Sequence, residues 1–346
     1  MKNWKIINIG LIIILILGLY FDLHAGSPNR RGTAAATELL IPIGSAGVGL
    51  NGSTLAKAHG LDALFWNPAG LARSTLTSEV MFSNLQYIAD IGVNYFAVSG
   101  NLGDFGYIAA SLKTLSFGDI EVTTIDKPEG TGVTYSPTYM TIGLTYARRM
   151  TDRIFFGTNV KLVYESIQRV EASAFAFDFG LQYKAGETGF NFGIALKNLG
   201  TKIRFDGPDF ERFVNDPNQP IGFPPQPYVI RTAAFDLPTT LELGLSYNYA
   251  LATEHLLSLN TTFVNNNYSN DQYRFGVEYS YNNIIFLRGG YLVSPDIPGT
   301  LEGIFDFTFG AGIQYHISGI EMAVDYAYRP AKFFNANQWF TVRLGF

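Results

Sequence analysis

The chain contains no cysteine in 346 residues, which excludes a disulfide framework and any thiolate metal or nucleophile site. It is also poor in charge. Asp, Glu, Lys and Arg make up 15% of it, against about a quarter in ordinary soluble domains. The net charge of −5 provides no basic surface for nucleic acid. After residue 25 no apolar run reaches the roughly 20 residues that a spanning helix requires. A mature chain of this composition can enter a membrane only as strands.

The leader is the one long apolar stretch. Lys2 and Lys5 precede an unbroken greasy run from Ile9 to Tyr20, the layout of a secretory signal, with cleavage expected after Ala25. The chain therefore divides into a signal peptide at 1–25, an N-terminal extension and lumenal hatch at 26–75, and a barrel at 76–346.

What the sequence has in abundance is aromatic residues and glycine: 28 Phe, 20 Tyr and 36 Gly. They are arranged with a period of two. In "YMTIGLTYAR" Met140, Ile142, Leu144 and Tyr146 share one face, and Thr141, Gly143, Thr145 and Ala147 share the other. The same split recurs around Phe175 to Tyr183, Leu241 to Tyr249, Tyr273 to Tyr279 and Phe305 to Phe309. A soluble β-sandwich could use such strands, but most of these segments run to ten residues or more. That is the length of a tilted spanning strand, whereas soluble strands most often have about 5–6 residues. The reading is all-β, a transmembrane antiparallel β-barrel with its apolar face to lipid and its small, polar face to the lumen.

Fourteen segments are expected, at 77–88, 91–101, 104–116, 138–148, 153–166, 172–184, 189–199, 238–249, 255–264, 272–281, 284–293, 305–315, 319–329 and 337–346. Every second connection is tight, and longer ones fall between them, notably 117–137 and 200–237. Short periplasmic turns alternating with long external loops would place both termini in the periplasm and the barrel in a bacterial outer membrane. Phe346 ends a strand with Phe340, Val342 and Leu344 on one face, which resembles the terminal signal of such barrels.

Fourteen strands enclose a lumen too wide to be filled by wall side chains alone, and the segment before the first strand is available to fill it. In "DALFWNPAGLAR" Asn67 is placed to cap a helical turn, and Pro68 suits its first position. The hatch motif is Asp62, Ala63, Asn67, Pro68, Ala69, Gly70 and Leu71. With the Gly- and Ala-rich stretch before it, this motif resembles the hatch of the FadL-type outer-membrane family. Together with "FDFGLQYK", "NFGIALKNLG", "LPTTLELGLSY", "RFGVEY", "LRGGYL" and "FTFGAGIQY", it is similar to the PorV/PorQ branch.

That resemblance implies a type IX secretion-associated component that docks exported proteins or partner outer-membrane proteins. The FadL-type resemblance implies the alternative, a channel for diffusion of hydrophobic small molecules. Strand parity points Lys161, Glu165, Asp178, Glu242, Arg274, Glu278, Arg288, Asp306, Glu321, Asp325 and Arg329 into the lumen, a lining that suits a greasy ligand poorly. The loop at 205–236 mixes aromatics with prolines, and Phe223, Tyr228 and Phe235 are its candidate partner-binding residues. No cofactor, metal site or catalytic constellation is expected. His59 lies in the hatch, and His255 and His316 lie at tight turns, away from any Ser–His–carboxylate arrangement. The Asn-rich stretch at 265–272 lacks the acidic spacing of a calcium loop.

Overall fold

The computed structural model describes residues 32–215, 224–294 and 305–346; the signal segment lies outside them. Its strands are β1 (Ser78–Gln86), β2 (Gly92–Asn101), β3 (Tyr107–Ser116), β4 (Ile120–Glu121), β5 (Thr134–Tyr135), β6 (Thr138–Arg149), β7 (Ile154–Ile167), β8 (Val170–Lys184) and β9 (Phe190–Gly200), then β10 (Glu211–Val214), β11 (Gln226–Val229), β12 (Thr240–Ala252), β13 (His255–Asn266), β14 (Gln272–Tyr281), β15 (Ile285–Val293), β16 (Phe307–Ile317), β17 (Ile320–Arg329) and β18 (Asn337–Gly345). Fourteen of them form one closed antiparallel barrel in sequence order, sealed where β1 pairs with β18. Each spanning segment expected from the alternation corresponds to one of these strands.

The remaining four strands make two ribbons within the long connections, β4–β5 and β10–β11. Sequence alternation does not reveal them, because strands of two to four residues hold at most two periods of the pattern, too few to stand out. β8 also begins two residues earlier than expected, at Val170. Only Gln168 and Arg169 separate it from β7, with Gln168 in the left-handed region at φ 55°, so this side of the wall stands taller. The two rims are distinguished below as the turn end, with the tight connections, and the loop end.

Along each barrel strand the two faces differ as the chemistry requires. Outward residues such as Leu144 (63% exposed) and Phe175 (52%) remain uncovered by protein, forming the apolar belt that faces lipid. Inward residues are buried against residues 34–75, which thread the lumen. The segment starts at the loop end, where the Gly32 amide donates to the Tyr268 carbonyl and the Ala35 amide to that of Asp236. It forms a short helix, Ser45–Gly49, against β15–β18, then turns, and finishes as a 3-10 helix, Pro68–Arg73, against β6, β7 and β8.

The first described residues and the last lie at opposite rims. Gly32 is at the loop end, whereas the last residue, Phe346, is hydrogen-bonded to Thr77 and Ser78 at the turn end. Among the described residues the hatch thus runs from the loop end to the turn end before β1 begins.

A belt of wall glycines accommodates the hatch. A Cβ on Gly157, Gly180, Gly193, Gly244, Gly276 or Gly290 would come within 2.1–2.8 Å of a hatch atom. In that strand order their nearest hatch neighbours are Pro68, Asn67, Leu55, Leu55 again, Ser53 and Asn51. The hatch backbone thus circles the inside of the wall in a groove made by absent side chains. The small face of the alternation is where the plug rests. Leu61, Leu64, Trp66 and Leu71 complete the packing against Met81, Leu85, Val93 and Trp339 in one buried apolar cluster.

Candidate functional site

The hatch motif sits at the most constrained point of this path. The Asn67 side chain accepts from the Ala69 amide at 3.2 Å and caps the turn that Pro68 begins. Its amide nitrogen donates to the carbonyls of Leu55 (3.1 Å), Leu181 (3.2 Å) and Ile194 (3.4 Å). One side chain therefore joins two hatch turns to the β8–β9 seam. Gly70 is needed for close approach, since a Cβ there would lie 2.1 Å from the Ala58 carbonyl oxygen. Ala63, Ala69 and Leu71 are fully buried. Asp62 forms an ion pair with Arg343 of β18.

The lumenal charges are mostly paired. Lys161 bonds to Asp178 at 2.7 Å, and Lys197 to Glu242 at 3.3 Å. A ladder runs from the hatch along the wall: Lys57 to Glu278 (2.6 Å), Glu278 to Arg288 (2.6 Å) and Arg288 to Asp325 (2.5 Å). Pairing of this kind is what a buried charge requires, because leaving one partner alone is costly. Burial depresses the Lys57 ammonium below its ordinary range, and Glu278 opposes that shift. Glu165 is buried on β7. Asp306, at the loop end, meets Lys332 at 3.2 Å. Glu321, near the turn end, accepts from His316 at 2.7 Å.

Arg274 and Arg329 differ from the rest. Among the described residues neither has a carboxylate partner. Arg274 donates through Nε and Nη2 to the Gln272 side-chain oxygen. Arg329 stacks on Phe305, 3.8 Å from the ring centroid, and on Trp339 at 4.8 Å.

Both arginines line a cavity of about 730 Å³ on the loop side of the hatch. Its lining has two characters. One flank is apolar, with Leu40, Ile41, Ile91, Leu115 and Phe117, and the opposite flank carries Lys197, Glu242, Asn266, Arg274 and Arg329. Phe65 and Trp66 of the hatch contribute to it.

Of the proposed loop residues, Tyr228 is half-exposed on the β10–β11 ribbon opposite Arg212. Phe235 is similarly exposed, while its backbone pairs with Ile203. Phe223 lies outside the described residues. Ion pairs join the hatch to the wall charges at Lys57–Glu278 and Asp62–Arg343, and the Phe235 strand segment meets the hatch only at its start, through Asp236 and Ala35.

Sequence reasoning missed several inward groups that hold the hatch. Lys113 donates to the Glu38 carbonyl at 2.6 Å. Glu79 accepts from the Leu61 amide at 3.2 Å and from the Ser74 hydroxyl. Trp339 donates to the Pro42 carbonyl at 2.9 Å, and Arg73 reaches Ala56, Gln182 and Asn191. Strand parity marks Lys113, Glu79 and Arg343 as inward, on the same alternation that marked the others.

Residues 25–222 match the family model described as type IX secretion system protein PorV. The chain belongs to the PorV family. It is an outer-membrane β-barrel of type IX secretion, and its fold is that of FadL-type channels. Among solved structures it is similar to the CymD monoaromatic hydrocarbon channel, at 12% identity over 88% of this chain and 97% of that one, with a TM-score of 0.53. The deltaS2 mutant of the TodX monoaromatic hydrocarbon channel has 13% identity over 88% and 97%, with a TM-score of 0.51. The Pseudomonas putida toluene transporter TodX has 12% identity over 84% and 94%, with a TM-score of 0.50. At such identities these likenesses concern the fold alone. No curated protein matches the chain in sequence.

Proposed function

We propose that this PorV-family barrel acts in type IX secretion as a receiving and docking component, with its loop end outside the cell and the cavity above the hatch admitting part of an exported protein or a partner outer-membrane protein. The observation that carries this reading is the lumen itself. The hatch is fastened to the wall by hydrogen bonds from Asn67, Arg73 and Lys113 and by ion pairs from Lys57 and Asp62. On its loop side the cavity has a mixed polar and apolar lining. A partly charged, partly apolar vestibule suits a polypeptide surface, which also mixes the two characters. Tyr228 and Phe235 stand exposed at the same end and supply further contact area.

The fold shared with hydrocarbon channels and the apolar flank of the cavity favour a second reading, passage of hydrophobic small molecules. One experiment separates the two. Deleting residues 34–72 should leave proteins with type IX tails in the periplasm and growth on hydrophobic carbon sources unchanged. Lost uptake with normal secretion would establish the second reading instead.

A further inference from the structure

The first turn of the hatch has no cap of its own. The 3-10 helix Thr37–Leu40 starts without a side-chain hydrogen bond, and Ala36 before it lies in the left-handed region at φ 54°. A residue with a Cβ keeps that conformation only where its surroundings hold it. Here the wall does the holding. Ala36 and Leu39 pack on Val163 of β7 and on Ala172 and Ala174 of β8. Beside them the Glu38 side chain reaches that of Glu165, two residues beyond Val163.

Both carboxyl groups are only 4% exposed, and one oxygen of Glu38 has no hydrogen-bond partner. Few groups face the pair. Lys113 of β3 donates to the carbonyls of Glu38 and Ile41 at 2.6 and 3.4 Å, and Tyr139 of β6 stands opposite Glu165 in the register. The next ammonium groups, those of Lys161 and Lys197, are engaged by Asp178 and Glu242. One ammonium against two carboxylates leaves a negative charge that burial disfavours. Two carboxylates also repel each other and hold no donor, so they bond only when one of them carries a proton. Burial raises the Glu38 carboxyl above its ordinary range, against the opposing pull of its own backbone and of Lys113.

We infer that Glu38 and Glu165 share one proton, and that this carboxyl–carboxylate bond is a latch that holds the first turn of the hatch to β7 and lets go when the proton is lost. The latch is independent of the secretion reading. Thr37 to Pro42 line the loop-side cavity, so release of this turn enlarges the cavity from the hatch side. A proton bound more tightly in the docked turn than in the free one favours docking fully at or below the ordinary carboxyl range. That advantage is lost as pH rises above it, by up to about tenfold per pH unit for one proton.

Hydrogen exchange of the purified mature protein in a non-ionic detergent, followed from pH 5 to pH 8 and corrected for the intrinsic rate, provides the test. The Leu39 and Ile41 amides, which donate to the Ala36 and Glu38 carbonyls, should open at least tenfold more often at the upper pH. The Asn67 and Gly70 amides, bonded to the Ala63 and Asn67 carbonyls, should not change. Glu165→Gln should flatten the profile of the first turn while keeping it closed, because an amide donates to the Glu38 carboxylate without a titrating proton. Glu38→Gln should do the same from the other side.

Heat-modifiable gel migration reports the folded barrel, and if one variant fails to fold, the other and the wild-type profile decide. A wild-type turn whose opening does not vary with pH overturns the latch, as does a folded Gln variant that keeps the wild-type pH dependence.

Discussion

Asn67 uses both ends of its amide, and no isosteric change preserves both. Asn67→Ala removes a cap worth about 0.5–2 kcal/mol and leaves three carbonyls, those of Leu55, Leu181 and Ile194, without this donor. Asn67→Asp keeps the acceptor but turns a carboxylate oxygen toward those carbonyls, so it should loosen the hatch at least as much as Ala. Hydrogen exchange over residues 50–75 should rise in both variants, while the barrel amides remain protected; an Asp variant indistinguishable from wild type would refute the donor role. The Asp62–Arg343 pair makes a second residue-scale case. Arg343→Met strands a buried carboxylate, with an expected cost of about 3–5 kcal/mol in hatch docking. The double variant with Asp62→Asn should recover most of it. Denaturant-dependent protease cleavage within the hatch measures the cycle, and additive effects would exclude coupling.

At the scale of elements, the glycine belt sets the spacing between wall and plug. Gly157→Val forces a side chain into the Pro68 backbone, which a Cβ would already meet at 2.4 Å. Backbone on both sides has little room to yield, so the hatch should become protease-sensitive in a barrel that still migrates as folded. Gly289→Ala is the control: that position has open space around it and should behave as wild type. The same belt explains what was legible in the sequence. A period of two over ten residues is a strong signal, and it located every spanning strand. The partners of the inward charges were not legible, because Lys57 with Glu278 and Asp62 with Arg343 are joined only when the hatch lies in the lumen. The ribbons β4–β5 and β10–β11 are too short to generate a pattern. Asn266 belongs by sequence to a polar stretch between strands, yet it is buried, with its amide bonded to the Asn270 carbonyl. Polarity there serves internal hydrogen bonds rather than solvent.

For the whole molecule, closure of the sheet is the source of stability in lipid, since no strand edge is left unpaired. Unboiled protein should resist SDS and migrate differently after boiling; identical migration would count against a closed barrel. Orientation is checked with single cysteines, which the thiol-free chain permits. Asp126→Cys in the loop between β4 and β5 should react with an impermeant reagent on intact cells, and Asp152→Cys in the β6–β7 turn should not. The inverse pattern would turn the vestibule toward the periplasm and remove the proposed docking surface.

The Ser45 hydroxyl lies 2.7 Å from that of Thr341 on β18, which in turn lies 2.8 Å from that of Ser83 on β1. The plug therefore touches the seam by which the cylinder is sealed. During biogenesis the hatch is made first, but the resting place of its Ser45 end exists only once the last strand has arrived. Contacts so distant along the chain form slowly, because the entropy of loop closure must be met before they contribute. Final seating of this end of the plug therefore waits on the joining of the first and last strands. A chain truncated before β18 would lack both the seam and the anchor for its own first residues, so an incomplete barrel would announce itself by a loose N-terminal segment open to periplasmic proteases.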